Sequence, residues 1–184
     1  NGSGVDLNTY PLSNLPSNRV FLMISRLLVD KGVREYVQAA KIVRSHFSDA
    51  TFQLVGYLDE NPSGINNSEL QSWINQGDIQ YLGEVKSVQS ILKSCRYYVL
   101  PSYREGTPKT LIEAASMSKA LIATDVPGCR EVVVDGLNGF LCEVKNPISL
   151  ASSIKKYIKM DHNSKIRMGL ISRKISEEKF DIHK

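Results

Sequence analysis

Five short apolar runs, at residues 20–25, 51–55, 79–82, 97–100 and 120–123, recur along the chain with room for a helix between each pair. Val, Ile, Leu and Tyr fill them without clean alternation of polar and apolar positions, the pattern of strands buried on both faces. Helix-compatible stretches lie between them at about 33–46, 68–76, 86–94 and 108–117. Strand and helix alternating in this order predict α/β architecture: a Rossmann-like, doubly wound parallel sheet whose ligand sits at the carboxyl ends of the strands. A turn-rich segment at 135–139, a short strand at 140–142 and helices at 147–160 and 162–178 follow, and the sequence is expected to stop while still helical. The Pro/Ser/Asn-rich stretch 11–18 reads as a linker, so residues 1–18 are expected to be a connector and 19–184 the domain.

The strongest local signal is Pro101-Ser-Tyr-Arg-Glu-Gly-Thr-Pro-Lys-Thr-Leu-Ile-Glu-Ala-Ala-Ser116. Thr107 is expected to cap a helix with Pro108 at its first position, where the missing N–H costs nothing. The helix mouth then falls at Gly106 to Thr110, including Thr107, Pro108 and Lys109. Unpaired backbone N–H groups and the positive end of the helix dipole favour phosphate there. Glu105 stands just before the mouth. Glu113 lies about 8 Å along the axis from Pro108, in reach of a group beside the phosphates such as a ribose. Its neighbours Leu111, Ile112, Ala114 and Ala115 imply a buried helix, so its carboxylate needs partners.

After the first strand, Ser25-Arg-Leu-Leu-Val-Asp-Lys-Gly32 places two cations, Arg26 and Lys31, on a loop at the same rim. Arginine can clamp two oxygens of a departing diphosphate while lysine acts as a point charge. Gly56 and Gly83 end the second and third strands, where each marks either an approach for a flat base or an ordinary turn, and Val85 or its neighbours could flank such a base.

Composition narrows the classes. With 42% hydrophobic residues among 184, one globular domain is expected, without a membrane-length apolar run or signal-peptide features at the start. Three cysteines, 95, 129 and 142, lack metal-type spacing and read as buried small apolar residues in a reduced compartment. Of the net charge of +4, residues 145–184 carry +6, from ten Lys/Arg against four Asp/Glu, leaving −2 for the rest. A solvated helix face is the preferred reading of Lys155, Lys156, Lys159, Lys165, Arg167, Arg173 and Lys174 over an anionic-lipid contact. Nucleic acid is disfavoured because no interleaved aromatics or nucleic-acid motifs accompany the charge.

Taken together these residues resemble the retaining glycosyltransferases of family 4, in the bacterial branch that builds capsule, O-antigen and related lipid-linked glycans. The resemblance rests on Gly4-Val5-Asp6, Ser25-Arg26-Leu27 through Lys31-Gly32, Tyr81-Leu82-Gly83, Pro101-Ser102, Glu105-x7-Glu113, Thr124-Asp125 and Gly136-x-x-Gly139-Phe140. It implies the C-terminal, donor-binding half of a GT-B fold, with an N-terminal acceptor domain outside this chain and the fragment inactive alone. By the same resemblance Arg26 and Lys31 hold the donor diphosphate, Glu105 the sugar hydroxyls, the backbone from Gly106 to Leu111 the sugar and phosphates, and Glu113 the ribose, with Gly83 and Val85 near the base. Arg26, Lys31 and Glu105 would form its share of the catalytic centre. No Asp-x-Asp of the metal-binding kind is present, so no obligatory metal or cofactor is expected. The donor would be a UDP-sugar and the acceptor a saccharide or polyprenyl-linked saccharide, with a cytoplasmic protein at most peripheral to the inner membrane face.

Other classes fit less well. An NAD-binding domain would share the strand-helix alternation, but Gly2-Ser3-Gly4 follows no strand and Leu7 stands where a third glycine belongs. No P-loop is present. Glycoside hydrolysis by two carboxylates conflicts with Glu113 lying inside a helix. A noncatalytic domain of the same fold stays open, since fold alone does not fix function.

Overall fold

The structure, a computed structural model, describes residues 4–184; Asn1, Gly2 and Ser3, and with them two residues of the Gly2-Ser3-Gly4 tripeptide, lie outside the described residues. Six parallel strands, β1 Val20–Ile24, β2 Thr51–Val55, β3 Gln80–Tyr81, β4 Tyr97–Leu100, β5 Ala120–Thr124 and β6 Gly139–Cys142, stand in the order β3-β2-β1-β4-β5-β6. This is the Rossmann-like order, and its reversal between β1 and β4 opens a crevice at their carboxyl ends. Seven helices connect and cover the strands: α1 Val33–Arg44, α2 Asn67–Asn75, α3 Val88–Ser94, α4 Lys109–Ser116, α5 Pro127–Arg130, α6 Pro147–Lys159 and α7 His162–Lys179.

Alternate strand residues point into two separate cores. Phe21, Met23, Phe52, Leu54, Tyr97 and Val99 pack under α1, α2 and α6, with the Phe21 ring stacked 4.4 Å from Tyr97 and 4.9 Å from Phe52. Leu22, Val55, Tyr98, Leu100, Leu121 and Ala123 pack under α3 and α4 on the other face. Because both faces of β1, β4 and β5 are covered, those strands carry no polar alternation, whereas β2 keeps Thr51 and Gln53 half-buried between Phe52 and Leu54.

Several expectations shift. The helix after β4 begins at Lys109, and its cap is Pro108 in an extended conformation (φ −73°, ψ 116°); Thr107 is not the cap. Pro108 accepts both Leu111 N–H (3.1 Å) and Ile112 N–H (3.2 Å), so its carbonyl does what a capping residue's carbonyl does. Helix α7 ends at Lys179, and the chain does not stop while helical: Val5 N–H donates to the Phe180 carbonyl at 2.8 Å and Ile182 N–H to that of Val5 at 3.3 Å. The segment ahead of β1 is thus stitched to the far end of the chain, and Ser13 Oγ donates to the Met117 carbonyl at 2.9 Å.

The basic tail is only in part a solvated face. Lys156, Lys159, Arg167 and Lys174 are exposed, but Lys165 is buried with Nζ donating to the Ile158 carbonyl at 2.8 Å. Arg173 donates from Nη1 to the carbonyls of Tyr10 and Ser116, both at 2.8 Å, joining the segment ahead of β1, α4 and α7. Charge counting cannot distinguish these two from their solvated neighbours, because a long cationic side chain reaches unpaired carbonyls as readily as water.

Candidate functional site

The loop carrying the two cations is set by Gly32, which adopts φ +74° between the turn Val29–Lys31 and α1. A Cβ there would lie 2.1 Å from the Pro101 carbonyl oxygen, so only glycine lets this loop close on the end of β4. That approach brings Lys31 to the segment after β4, where its Nζ pairs with Glu105 Oε1 at 2.8 Å. The segment itself is fixed from the other side by α5. Gly128 packs so closely that a Cβ would meet the Gly106 carbonyl oxygen at 1.3 Å.

Two cavities open side by side at the carboxyl rim. The first, about 220 Å³, is lined by Arg26, Lys31, Glu105, Pro108, Lys109 and Thr110 together with Ile24, Ser25 and Leu100. The second, about 250 Å³, is lined by Gly56, Tyr57, Glu84, Val85 and Val88, and shares Ile24, Ser25, Arg26 and Thr110 with the first. Arg26 therefore stands on the wall common to both. Ser25 lines both as well, although its hydroxyl is buried and has no protein partner.

Electrostatics favour an anion in the first cavity. Among the described residues the N–H groups of Gly106, Thr107, Lys109 and Thr110 donate to no protein acceptor; Lys109 and Thr110 line the first cavity, Gly106 and Thr107 line neither, and the N-terminus of α4 directs its partial positive charge at the first. Lys31 is paired with Glu105, and Arg26 donates from Nη1 to Asp59 Oδ2 at 3.3 Å, so each cation keeps further N–H donors for a second partner. Lys109 is well exposed and stands 3.9 Å from Glu113 Oε1.

Other singled-out residues lie elsewhere. Leu111 does not reach the mouth: its side chain is in the core and its N–H is bonded to Pro108. Glu113 is 4% exposed and lines neither cavity. Burial raises its pKa, against the lowering pull of the Tyr10 hydroxyl and of Lys109. Burial and the facing Glu113 carboxylate push the Tyr10 phenol up to about 12. Gly56 (φ +145°) lines the second cavity, but its missing side chain is required by packing, since a Cβ would lie 1.8 Å from the Ser25 carbonyl oxygen. Gly83 accepts from Gly56 N–H at 2.9 Å and lines neither cavity.

Sequence reasoning missed Tyr57 and Asp59, and did not single out Ser25 beside Arg26 or Glu84 beside Val85. Ser25 and Tyr57 stand one and two residues past the ends of β1 and β2, where a parallel sheet puts its ligand contacts, so position alone could have found them. Nothing local marks Asp59. All three cysteines are buried, and desolvation pushes each thiol up to about 12. Among the described residues no three His, Cys, Asp or Glu side chains cluster in a way that could hold a metal, and no helix is long and apolar enough to cross a membrane.

Residues 18–160 match the family model of the group 1 glycosyl transferases. The chain is 33% identical over 157 residues, 85% of its length and 39% of the relative's, to N,N'-diacetylbacillosaminyl-diphospho-undecaprenol alpha-1,3-N-acetylgalactosaminyltransferase of Campylobacter jejuni. In fold it is similar to Anabaena HepE, solved in complex with UDP, with a TM-score of 0.84 at 23% identity, covering 98% of this chain and 52% of that one. It is similar also to the C-terminal domain of the group 1 glycosyl transferase LpcC of Francisella tularensis, solved on its own, with a TM-score of 0.82 at 21% identity over 97% of this chain and 100% of that one. The chain spans about two fifths to one half of the length of the full-length relatives. Carrying their sequence signature on one Rossmann-like unit of the GT-B fold, the chain belongs to the group 1 glycosyl transferases.

Proposed function

We propose that this domain binds the nucleoside-diphosphate sugar of a retaining glycosyltransferase of family 4, with UDP as the nucleotide. The observation that carries the reading is a single cavity shared by Arg26, Lys31, Glu105 and the free N–H groups at the mouth of α4. A diphosphate gains charge as its bond to the sugar breaks, and a preorganised field of two cations and a helix dipole stabilises that charge more than the ground state. The base occupies the neighbouring cavity beside Val85, and UDP bound by HepE supports this choice of nucleotide. Glu105 accepts from the sugar hydroxyls. Glu113 takes the ribose hydroxyls, with the exposed Lys109 moving off its 3.9 Å contact to admit them. The positive field comes from the protein itself, so chelators are expected to leave donor binding unchanged.

Transfer is to a saccharide or polyprenyl-linked saccharide held by a further domain, in bacterial surface polysaccharide synthesis, and the Campylobacter relative's undecaprenol-linked acceptor supports this. Any contact with the anionic inner leaflet would be peripheral, through the exposed lysines of α6 and α7, whose preferred role is a solvated face. Calorimetry with UDP, GDP, ADP and NAD tests the reading. Binding of UDP that is lost in Glu113→Ala and Arg26→Ala is the expected result, and a preference for NAD would overturn it. The chain alone is expected to transfer no sugar, and measurable transfer would refute that part.

A further inference from the structure

We infer that Asp59 is a positioning residue that holds Arg26 toward the donor diphosphate; this rests on the donor-site reading above. The two carboxylate oxygens of Asp59 have separate tasks. Oδ1 accepts from Asn61 N–H at 3.0 Å and shapes the loop after β2, while Oδ2 receives Arg26 Nη1 at 3.3 Å. The loop is in turn sewn to the segment that carries both site cations. Leu27 N–H donates to the Tyr57 carbonyl at 3.1 Å, Val29 N–H to that of Ser63 at 2.9 Å, and Ile65 N–H to that of Leu27 at 2.8 Å. Asn61 Oδ1 locks the loop further by accepting from Ser63 N–H at 2.9 Å.

The pair is lopsided in burial: the Asp59 side chain is 16% exposed and that of Arg26 54%. The carboxylate is thus the fixed member and the guanidinium the movable one. A free arginine on this rim samples many rotamers, and a fixed carboxylate on Nη1 leaves Nε and Nη2 as a fork for phosphate oxygens. Because Arg26 lines both cavities, its orientation bears on the diphosphate and on the base side at once. The opposite role, an anion that competes with phosphate for Arg26, differs in sign.

Asp59→Asn separates them, since its side-chain oxygen can keep the bond from Asn61 N–H while the charge facing Arg26 is lost. UDP affinity of the 184-residue chain is measured by calorimetry in four forms: parent, Asp59→Asn, Arg26→Ala and the double variant. The positioning role predicts a loss of about threefold in Asp59→Asn, the scale of a partly exposed ion pair, and no further loss from Asp59→Asn once Arg26 is alanine. The loss should also shrink at high salt, which a loop-shape effect would not do. Unchanged or tighter UDP binding by Asp59→Asn, or a loss that persists in the Arg26→Ala background, would overturn the inference while leaving the donor site intact. A parent chain that does not bind UDP would overturn both.

Discussion

Replacing Lys31 by alanine should weaken two things by separable amounts. In the free protein the change strips Glu105, 13% exposed, of its partner at 2.8 Å. At an effective dielectric of about 20 the gross attraction of such a pair is about 6 kcal/mol, most of it offset by the cost of removing both charges from water. Fully exposed pairs are worth about 0–1 kcal/mol and the loss of one partner of a buried pair costs about 3–5 kcal/mol; this pair, with Lys31 23% exposed, lies between, near 1–2 kcal/mol. For a domain of this size that is a fall of about 2–8 °C in Tm, measurable by calorimetric melting. Donor binding loses one charge-assisted contact to phosphate, about 1.5–3 kcal/mol, hence about 10- to 150-fold in the Kd for UDP by titration calorimetry. Lys31→Ala/Glu105→Ala should recover most of the stability, because no unpaired carboxylate is left, and none of the affinity. A Lys31→Ala chain that binds UDP like the parent would refute the placement of Lys31 at the diphosphate.

Other consequences are independent of that pair. Burial holds Glu113 above its ordinary value of 4.5, so its ionised form opposes folding: stability from this group is full below 4.5 and is lost as pH rises through the folded value. Glu113→Gln should therefore melt higher than the parent at pH 7, with the gain vanishing well below pH 4.5, and bind UDP more weakly. Gly128→Ala forces a methyl onto the Gly106 carbonyl and should cost about 1–3 kcal/mol in denaturant titration, with weaker UDP binding as the Glu105–Gly106 segment shifts. Thr107→Ala should cost less than about 0.5 kcal/mol, since Pro108 is the cap; a loss near 1 kcal/mol would restore Thr107 to that role. The three thiols should resist alkylation at pH 8 in the native chain and react fully once it is denatured.

What could be read from sequence was what local chemistry dictates. The central strands β1, β4 and β5 lay where apolar residues ran without polar alternation, and the edge strand β3 is only Gln80–Tyr81. Helix α5 was illegible: Pro127-Gly128 reads as a turn, and the four-residue helix exists because its glycine must pack on Gly106. The site was legible in its charged anchors, Arg26, Lys31 and Glu105, each on a rim segment with its own signal. The partners of the charged groups around it depend on contacts across the fold. Asp59 meets Arg26 from 33 residues away, and Tyr10, ahead of β1, faces Glu113, a distance no spacing rule spans. Leu111 shows the opposite error, since being in the mouth's sequence did not put it in the mouth.

A crystal structure of the chain with UDP tests the central claim most directly. The β-phosphate should lie within hydrogen-bond distance of the Lys109 and Thr110 N–H groups, with the Arg26 guanidinium and Lys31 ammonium on its other oxygens. A diphosphate seated anywhere else on the molecule, with both cations still engaged only by Asp59 and Glu105, would contradict it.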